Sequence, residues 1–193
     1  MSRLLVYTES APDEVRVDTS DPEEIARELA RDGVRFERWS TPVALADDAS
    51  SEAILAAYAD AIERLQREGG YRAADVVRLR RDPADAGWDD KARAARARFL
   101  SEHRHDEDEV RFFVEGAGLF ALRIGGRVHL VRCERGDLLS VPAGTRHWFD
   151  MGTEPAFCAI RLFGSPAGWE ARFTGDAIAE RFPDFDAVAR RLS

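Results

Sequence analysis

The chain has 193 residues, of which 45% are hydrophobic and 33% are charged, so it suits one domain with a real core and a charged surface. A net charge of -8 and a pI of about 5.1 argue against nucleic acid and anionic membrane as partners, because both require a basic face. No apolar stretch approaches the roughly 18 residues of a membrane span. The apolar run Leu4–Tyr7 is too short for a signal-peptide core, so the cytoplasm is the expected location.

The amino-terminal half is predicted to mix helices and strands. Leu4–Thr8 has the composition of a strand, and Asp21-Pro22 begins a helix that runs to about Arg31, with aspartate as N-cap and proline in the first turn. Apolar periodicity then predicts strands over 34–39 and 74–79 and helices over 51–67 and 89–100. The arginines of the last helix are assigned to its solvated face: Arg93, Arg96 and Arg98.

From Glu107 onward the chain changes to short β-rich runs separated by turn residues. Strands are predicted over 109–115, 118–124, 127–133, 137–141, 145–149 and 156–163. Gly125-Gly126 has the composition of a two-residue hairpin turn, and a short helix is predicted over 183–192. Many short strands at this spacing indicate a mainly β fold, an antiparallel sandwich or barrel.

The histidines concentrate in one pattern. His103, His105 and Glu109 have the same parity, so on extended chain they face one side, and His147 lies several predicted strands further on. Imidazole nitrogens and a carboxylate oxygen suit first-row divalent metals such as iron, nickel, copper or zinc. The alternative is that these four are polar residues at strand ends with no metal to bind. His129, the remaining histidine, is interpreted as an ordinary sheet-face residue.

Four such ligands would leave two positions open on a six-coordinate ion. A structural zinc site would instead be closed by its four ligands, and the absence of thiolates from the pattern weakens that interpretation. Cys133 and Cys158 lie in apolar, strand-like surroundings and are interpreted as reduced, buried residues.

Two segments resemble the cupin motifs. The first is His103-x-His105-x3-Glu109-x6-Gly116, and the second is Gly136-x5-Pro142-x-Gly144-x2-His147. The glycine that usually precedes the first histidine is replaced by Ala97, and the asparagine that often ends the second motif by Met151. The resemblance implies a mainly β fold, a cupin antiparallel β-barrel (double-stranded β-helix) with an N-terminal α/β extension and flanking helices. We expect one cupin domain over 1–193, with the extension over about 1–98, the metal-binding core over about 99–170 and a tail over 171–193.

Within the cupins, the chain is similar to the acireductone dioxygenase family of methionine salvage. The strings that carry this resemblance are EHRHDEDEVRFF over 102–113, VPAGTRHWFDMG over 141–152, and IRLF over 160–163 with Gly168-Trp169 after it. The resemblance implies a dioxygenase with one Fe²⁺ or Ni²⁺ per monomer. Its substrates would be O₂ and the enediol 1,2-dihydroxy-3-keto-5-methylthiopentene, an acireductone. The ligand types do not distinguish iron from nickel.

The resemblance also implies roles for individual residues. The metal ligands would be His103, His105, Glu109 and His147. Arg111 shares the ligand face of its strand, and Arg161 is a charge in an apolar strand, so both are candidates to bind the substrate anion; a buried ion pair is the alternative for each. The positions that match the family's substrate pocket, and that could equally be core aromatics, are Phe99, Phe149 and Trp169.

In this family iron gives formate and 4-methylthio-2-oxobutanoate, whereas nickel gives carbon monoxide, formate and 3-methylthiopropionate. The resemblance suggests a monomer. Two other functions stay open at this point: an oxygenase cupin with another substrate, and a non-catalytic cupin that binds a metal and senses or stores a ligand.

Overall fold

The computed structural model describes residues 1–41, 43–165, 167 and 170–191, and antiparallel strands dominate this part of the chain. The strands are β1 Arg3–Thr8, β2 Ala11–Thr19, β3 Arg35–Arg38, β4 Ala73–Leu79, β5 His103–Arg104, β6 Glu109–Ile124, β7 Arg127–Glu134, β8 Asp137–Val141, β9 Arg146–Asp150, β10 Phe157–Phe163 and β11 Arg172–Phe173. The helices are α1 Pro22–Ala30, α2 Ser51–Ala57, α3 Ala59–Gly69, α4 Trp88–Leu100 and α5 Phe185–Arg190, with a short 3-10 helix at Ile178–Arg181.

The long strand β6 belongs to two layers of the barrel. Its second half pairs with β7 and β9, in the strand order β11-β5-β9-β6-β7-β1-β2. Its first half pairs with β8 and β10, which carry β3 and β4 on their far sides. Gly116, with a φ of 62°, lies where the strand changes partners, and a Cβ there would stand 1.7 Å from the Ala156 carbonyl oxygen. Two strands were predicted over this region; the structure has one bent strand.

Three apolar clusters cover the faces of these layers. The barrel interior is filled by aromatic and aliphatic residues such as Phe113 and Phe120, and α1 closes its open side with Ile25 and Leu29. A second cluster packs α2 and α3 on the outer face of the β10 layer, and a third packs the C-terminal segment on the outer face of the β7 layer. Apolar packing therefore covers both faces of each layer.

Most predicted elements are confirmed, including the Asp21 N-cap and the hairpin turn, in which Gly125 and Gly126 have positive φ. The helix predicted over 51–67 is interrupted at Tyr58, whose φ of -116° departs from helical geometry while its ring packs edge-on against Phe112. Strand β2 escaped prediction because most of its side chains are at least partly exposed, so its apolar alternation is weak.

The N-terminal strands continue the sheets of the predicted core. β1 pairs with β7, β3 with β8 and β4 with β10, so hydrogen bonds join the N-terminal extension directly to the barrel. The division into extension, core and tail stays a prediction. Within the described residues, no helix is both long enough and apolar enough to span a bilayer.

Candidate metal centre

The predicted ligands come together at one end of the barrel. His103 in β5 lies directly opposite His147 in β9, and Glu109 begins β6 opposite Val141. His105 lies in the loop between β5 and β6, and its carbonyl oxygen accepts a hydrogen bond of 2.9 Å from the Gly144 amide. Short strand pairing and this one backbone contact therefore fix the relative positions of the two ligand-bearing segments.

The three imidazoles converge closely. One ring nitrogen of each of His103, His105 and His147 lies within 4.8 Å of those of the other two. The Oε2 atom of Glu109 is 3.6 Å from His105 Nε2 and 3.3 Å from His147 Nε2. All four side chains are buried, so the structure brings the predicted ligand set into one enclosed space.

Hydrogen bonds determine which nitrogen of each imidazole is available. His103 Nδ1 lies 2.8 Å from the Ser101 carbonyl oxygen, His147 Nδ1 2.9 Å from that of Thr145, and His105 Nδ1 2.9 Å from that of Glu170. A carbonyl oxygen only accepts, so each Nδ1 carries the proton and donates it. The Nε2 lone pairs are therefore left for a metal, which is the common arrangement of metal-bound histidines.

Burial and charge keep these groups in the protonation states that ligation needs. Burial lowers the pKa of His103 to about 4 and also lowers the pKa of His105, so both rings are neutral at physiological pH. Burial by itself would raise the pKa of Glu109, but the Arg111 guanidinium and the imidazoles of His147 and His105 together outweigh that effect and hold the pKa well below its ordinary value. Neutral imidazoles and an ionised carboxylate are the forms that bind divalent cations.

Two buried polar atoms of the centre have no hydrogen-bond partner among the described residues: Glu109 Oε2 and His147 Nε2. A buried acceptor left unsatisfied costs about 1–3 kcal/mol. Both atoms face the space between the imidazoles, so a divalent cation there would satisfy them together. The residues thus fit a metal ion, while the role of Glu109 as a ligand stays a prediction.

Arg111 lies beside the metal centre in an aromatic enclosure. Its Nε donates a 2.7 Å hydrogen bond to Glu109 Oε1, and its NH1 nitrogen is buried without a partner in the described part of the chain. The guanidinium carbon lies 5.8, 5.1 and 4.9 Å from the ring centroids of Phe99, Phe120 and Phe149. Of these rings the sequence indicated Phe99 and Phe149; Phe120 was missed because only the pairing of β6 with β9 brings it here.

Arg161 has a different environment from Arg111. Its guanidinium forms a two-pronged ion pair with Asp75 of the neighbouring strand β4, with Nε 2.8 Å from Oδ1. It lies 5.7 Å from the Phe163 ring centroid, and that ring is 5.8 Å from the imidazole of His105. The ion pair is the alternative that the sequence left open, so a contact between Arg161 and substrate stays a prediction. Trp169 lies outside the described residues.

The family model and the most similar known sequences point to one family. Residues 3–171 match the model of the ARD/ARD' family. The chain is 54% identical over 187 residues to an acireductone dioxygenase of Parvibaculum lavamentivorans, a match covering 97% of this chain and 98% of the relative. It is 57% identical over 183 residues to one of Pseudomonas paraeruginosa, covering 95% of this chain and 98% of the relative.

A solved structure supports the fold. The acireductone dioxygenase from Bacillus anthracis with a cadmium ion in its active centre is 28% identical, with a TM-score of 0.73. The match covers 90% of this chain and 98% of that one. The predicted cupin barrel is therefore confirmed, and on the family match and the two close relatives this chain belongs to the ARD/ARD' family.

Proposed function

We propose that the chain is a metal-dependent acireductone dioxygenase, which cleaves 1,2-dihydroxy-3-keto-5-methylthiopentene with O₂. The observation that carries this proposal is a buried set of three imidazoles, each with its proton on Nδ1, that face an ionised glutamate. The names of relatives that are 51–57% identical over nearly the full chain support the same reaction.

The groups that would hold the metal are His103, His105, Glu109 and His147. A divalent ion bound there would supply Lewis acidity and a template for a chelating enediolate. With iron we expect formate and 4-methylthio-2-oxobutanoate, and with nickel carbon monoxide, formate and 3-methylthiopropionate. Nitrogen and oxygen ligands of this kind accept either ion, so metal supply decides which product set forms.

Arg111 is proposed to bind the substrate anion. Its Nε is occupied by Glu109, but its NH1 nitrogen is buried and has no partner among the residues that the structure describes. A charged donor in a dry aromatic enclosure binds an oxyanion more strongly than it would in water, because no solvent competes for the hydrogen bond. The enediolate would therefore be held beside the ligands, with part of its charge neutralised by this guanidinium.

The aromatic residues would form the wall for the apolar methylthioethyl tail and keep bulk water out. Phe99, at the end of α4, packs edge-on against Phe149 in β9, with ring centroids 6.1 Å apart. Gly118 makes room for this arrangement, because a Cβ there would lie 2.3 Å from Phe149 Cζ. We propose Trp169 as a further part of this wall by family resemblance alone.

Arg161 is proposed to assist substrate binding from a greater distance than Arg111, while it remains paired with Asp75 next to Phe163.

The remaining proposals concern the whole protein. We propose a monomer with one metal ion, located in the cytoplasm, whose partners are the small-molecule acireductone and O₂ rather than nucleic acid or membrane. The division into an extension, a metal-binding core and a tail belongs to the same set.

The test is oxygen uptake with synthetic acireductone after the metal-free chain has been reconstituted with Fe²⁺ alone and with Ni²⁺ alone. Catalytic turnover, with carbon monoxide from the nickel form only, is the expected result. Tight binding of acireductone without oxygen uptake by either form would instead favour the non-catalytic cupin. Uptake with another enediol or thiol but not with acireductone would favour a different oxygenase.

A further inference from the structure

The three imidazoles differ in how their protonated nitrogens are held. His103 and His147 donate to carbonyls two residues earlier in their own segments, Ser101 and Thr145. His105 donates to the carbonyl of Glu170, which is 65 residues away in sequence. The proton position on His105 therefore depends on where the segment after β10 lies, whereas the other two depend on local geometry alone.

Glu107 holds the beginning of that segment. Its Oε2 atom accepts a 2.8 Å hydrogen bond from the Ser165 amide, and its Oε1 atom accepts one of 2.6 Å from the Ser165 hydroxyl. Gly164 lies against the same carboxylate, since a Cβ there would stand 3.0 Å from Oε2. Any larger residue at position 164 would crowd this contact.

The two neighbouring acids in the loop make different contacts. Asp106 pairs with Arg172, and both side chains are at least 60% exposed. Asp108 accepts a 2.8 Å hydrogen bond from the Ala143 amide in the turn before β9. Of the three acids between His105 and Glu109, Glu107 alone is partly buried, and among the described residues of the segment that leads to Glu170 it alone makes a contact, with Ser165.

We propose that Glu107 is a positioning residue for the metal centre. Its two hydrogen bonds to Ser165, the Glu107–Ser165 clamp, hold the segment that leads to Glu170, so that the Glu170 carbonyl keeps accepting the proton on Nδ1 of His105. The loop between His105 and Glu109 thus contacts the later segment at two described residues, Ser165 through Glu107 and Glu170 through His105. The inference rests on the metal centre of the proposed function but not on its reaction.

The contact can be broken with or without loss of charge. Glu107→Ala removes both hydrogen bonds. Glu107→Gln removes the charge but keeps an oxygen that accepts from the Ser165 amide and an NH₂ group that donates to the Ser165 hydroxyl. Asp106→Ala is the matched control, because it removes one carboxylate from the same loop without touching the clamp.

Two measurements on the full-length chain read out the effect: long-range ¹H–¹⁵N correlation of the imidazoles without metal, and the Ni²⁺ dissociation constant by chelator competition. Glu107→Ala should lose the single tautomer at His105 only, and should bind Ni²⁺ roughly 10-fold more weakly, at the low end of the range for outer partners of metal ligands. Glu107→Gln and Asp106→Ala should match the wild type in both measurements.

An unchanged His105 tautomer and Ni²⁺ affinity in Glu107→Ala would overturn the proposal. Equal damage from Glu107→Gln would also overturn it, because charge rather than the clamp would then be responsible. Should Glu107→Ala not fold, Ser165→Ala breaks the hydroxyl contact and must shift the His105 tautomer in the same direction. Failure of the wild type to bind Ni²⁺ would count against the proposed function, while the tautomer comparison would still decide this inference.

Discussion

Two buried histidines lie at the same level of the barrel, one on each side of Leu122 in β6. His147 in β9 and His129 in β7 are both paired directly with that residue. Each is at most 2% exposed, and each has an Nε2 atom near a carboxylate: Glu109 at 3.3 Å from His147 and Asp32 at 3.1 Å from His129. Their environments nevertheless suit different roles.

The two sites differ in how many side-chain atoms are free to bind a metal ion. Arg111 contacts only Oε1 of Glu109 through its Nε, which leaves Oε2 directed at the imidazoles. Arg127 contacts both oxygens of Asp32, at 3.0 and 2.9 Å, and no second imidazole lies within ring-contact range of His129 among the described residues. Both ring nitrogens of His129 also lack a hydrogen-bond partner within the described residues, so an unsatisfied imidazole alone does not mark a ligand. A buried histidine becomes a candidate ligand when the free atoms of several ligand-type side chains converge, as they do around His147.

The largest expected effect is the loss of metal from the His147 side. Glu109→Ala and His147→Ala should weaken Ni²⁺ binding by more than about 100-fold, beyond the range seen when outer partners of ligands are changed. His129→Gln, the matched change at the other site, should retain the metal. Elemental analysis after dialysis measures the outcome, and full retention in Glu109→Ala would remove that residue from the ligand set.

Replacing the two arginines sharpens the comparison through stability. Arg111→Met leaves the buried Glu109 charge unpaired, which should cost about 3–5 kcal/mol of unfolding free energy in the metal-free protein. The loss should shrink when Ni²⁺ is bound, because the cation then balances Glu109. Arg127→Met, with a side chain 39% exposed in the native protein, should cost less and respond equally with and without metal. Denaturant titrations of both variants, with and without Ni²⁺, test this difference.

Acid should destabilise the metal-free protein through His103. Its pKa is about 4 in the folded protein against an ordinary value of 6.5, so the unfolded chain binds more protons between these values. The unfolding free energy should therefore fall as pH drops from about 6.5 to about 4, by up to about 3 kcal/mol at 1.36 kcal/mol per unit. Burial raises the pKa of Asp137 to about 6, which acts in the opposite direction.

The difference between the wild type and His103→Gln isolates the histidine from Asp137. That variant should show a flatter fall in stability over the same pH window. Parallel curves for the two proteins would mean that His103 is already charged in the folded metal-free state.

The smallest expected effect concerns the pair of Arg161 and Asp75. Asp75 is 49% exposed, so Asp75→Asn should cost less than about 1 kcal/mol of stability and leave metal content unchanged. Arg161→Met should lower activity while retaining metal, if the guanidinium assists substrate binding. Unfolding of Arg161→Met would show that the ion pair is structural, and steady-state kinetics with chemical denaturation distinguishes these outcomes.

The parts of the fold and site that the sequence predicted are those encoded locally. Parity and spacing indicated His103, His105 and Glu109, turn residues marked the hairpin at Gly125, and strand composition gave the β-rich core. Contacts between distant elements were missed, because no local pattern reports which elements meet. Phe120 and Phe163 reach the centre only through sheet register, and the Glu107–Ser165 clamp joins segments far apart in sequence.

Arg96 shows the same limit in the opposite direction. The arginines of α4 were assigned to a solvated face, and for Arg96 this was wrong. Its guanidinium forms a two-pronged pair with Asp150, which is 1% exposed, at 2.7 and 3.0 Å. Asp150 also accepts from the amides of Gly152 and Phe185, so one buried acid joins α4, β9 and α5. Helical periodicity identifies the apolar face of a helix, but it does not show that a buried acid on another strand will pair with one of the helix's charged residues.

X-ray absorption spectroscopy of the Ni²⁺-reconstituted chain tests the central claim most directly. The account predicts nickel bound by three imidazole nitrogens, with oxygen donors completing the shell, and the loss of one imidazole in His147→Ala but not in His129→Gln. A spectrum with fewer than three imidazoles, or with an unchanged imidazole number in His147→Ala, would contradict the assignment of the metal centre.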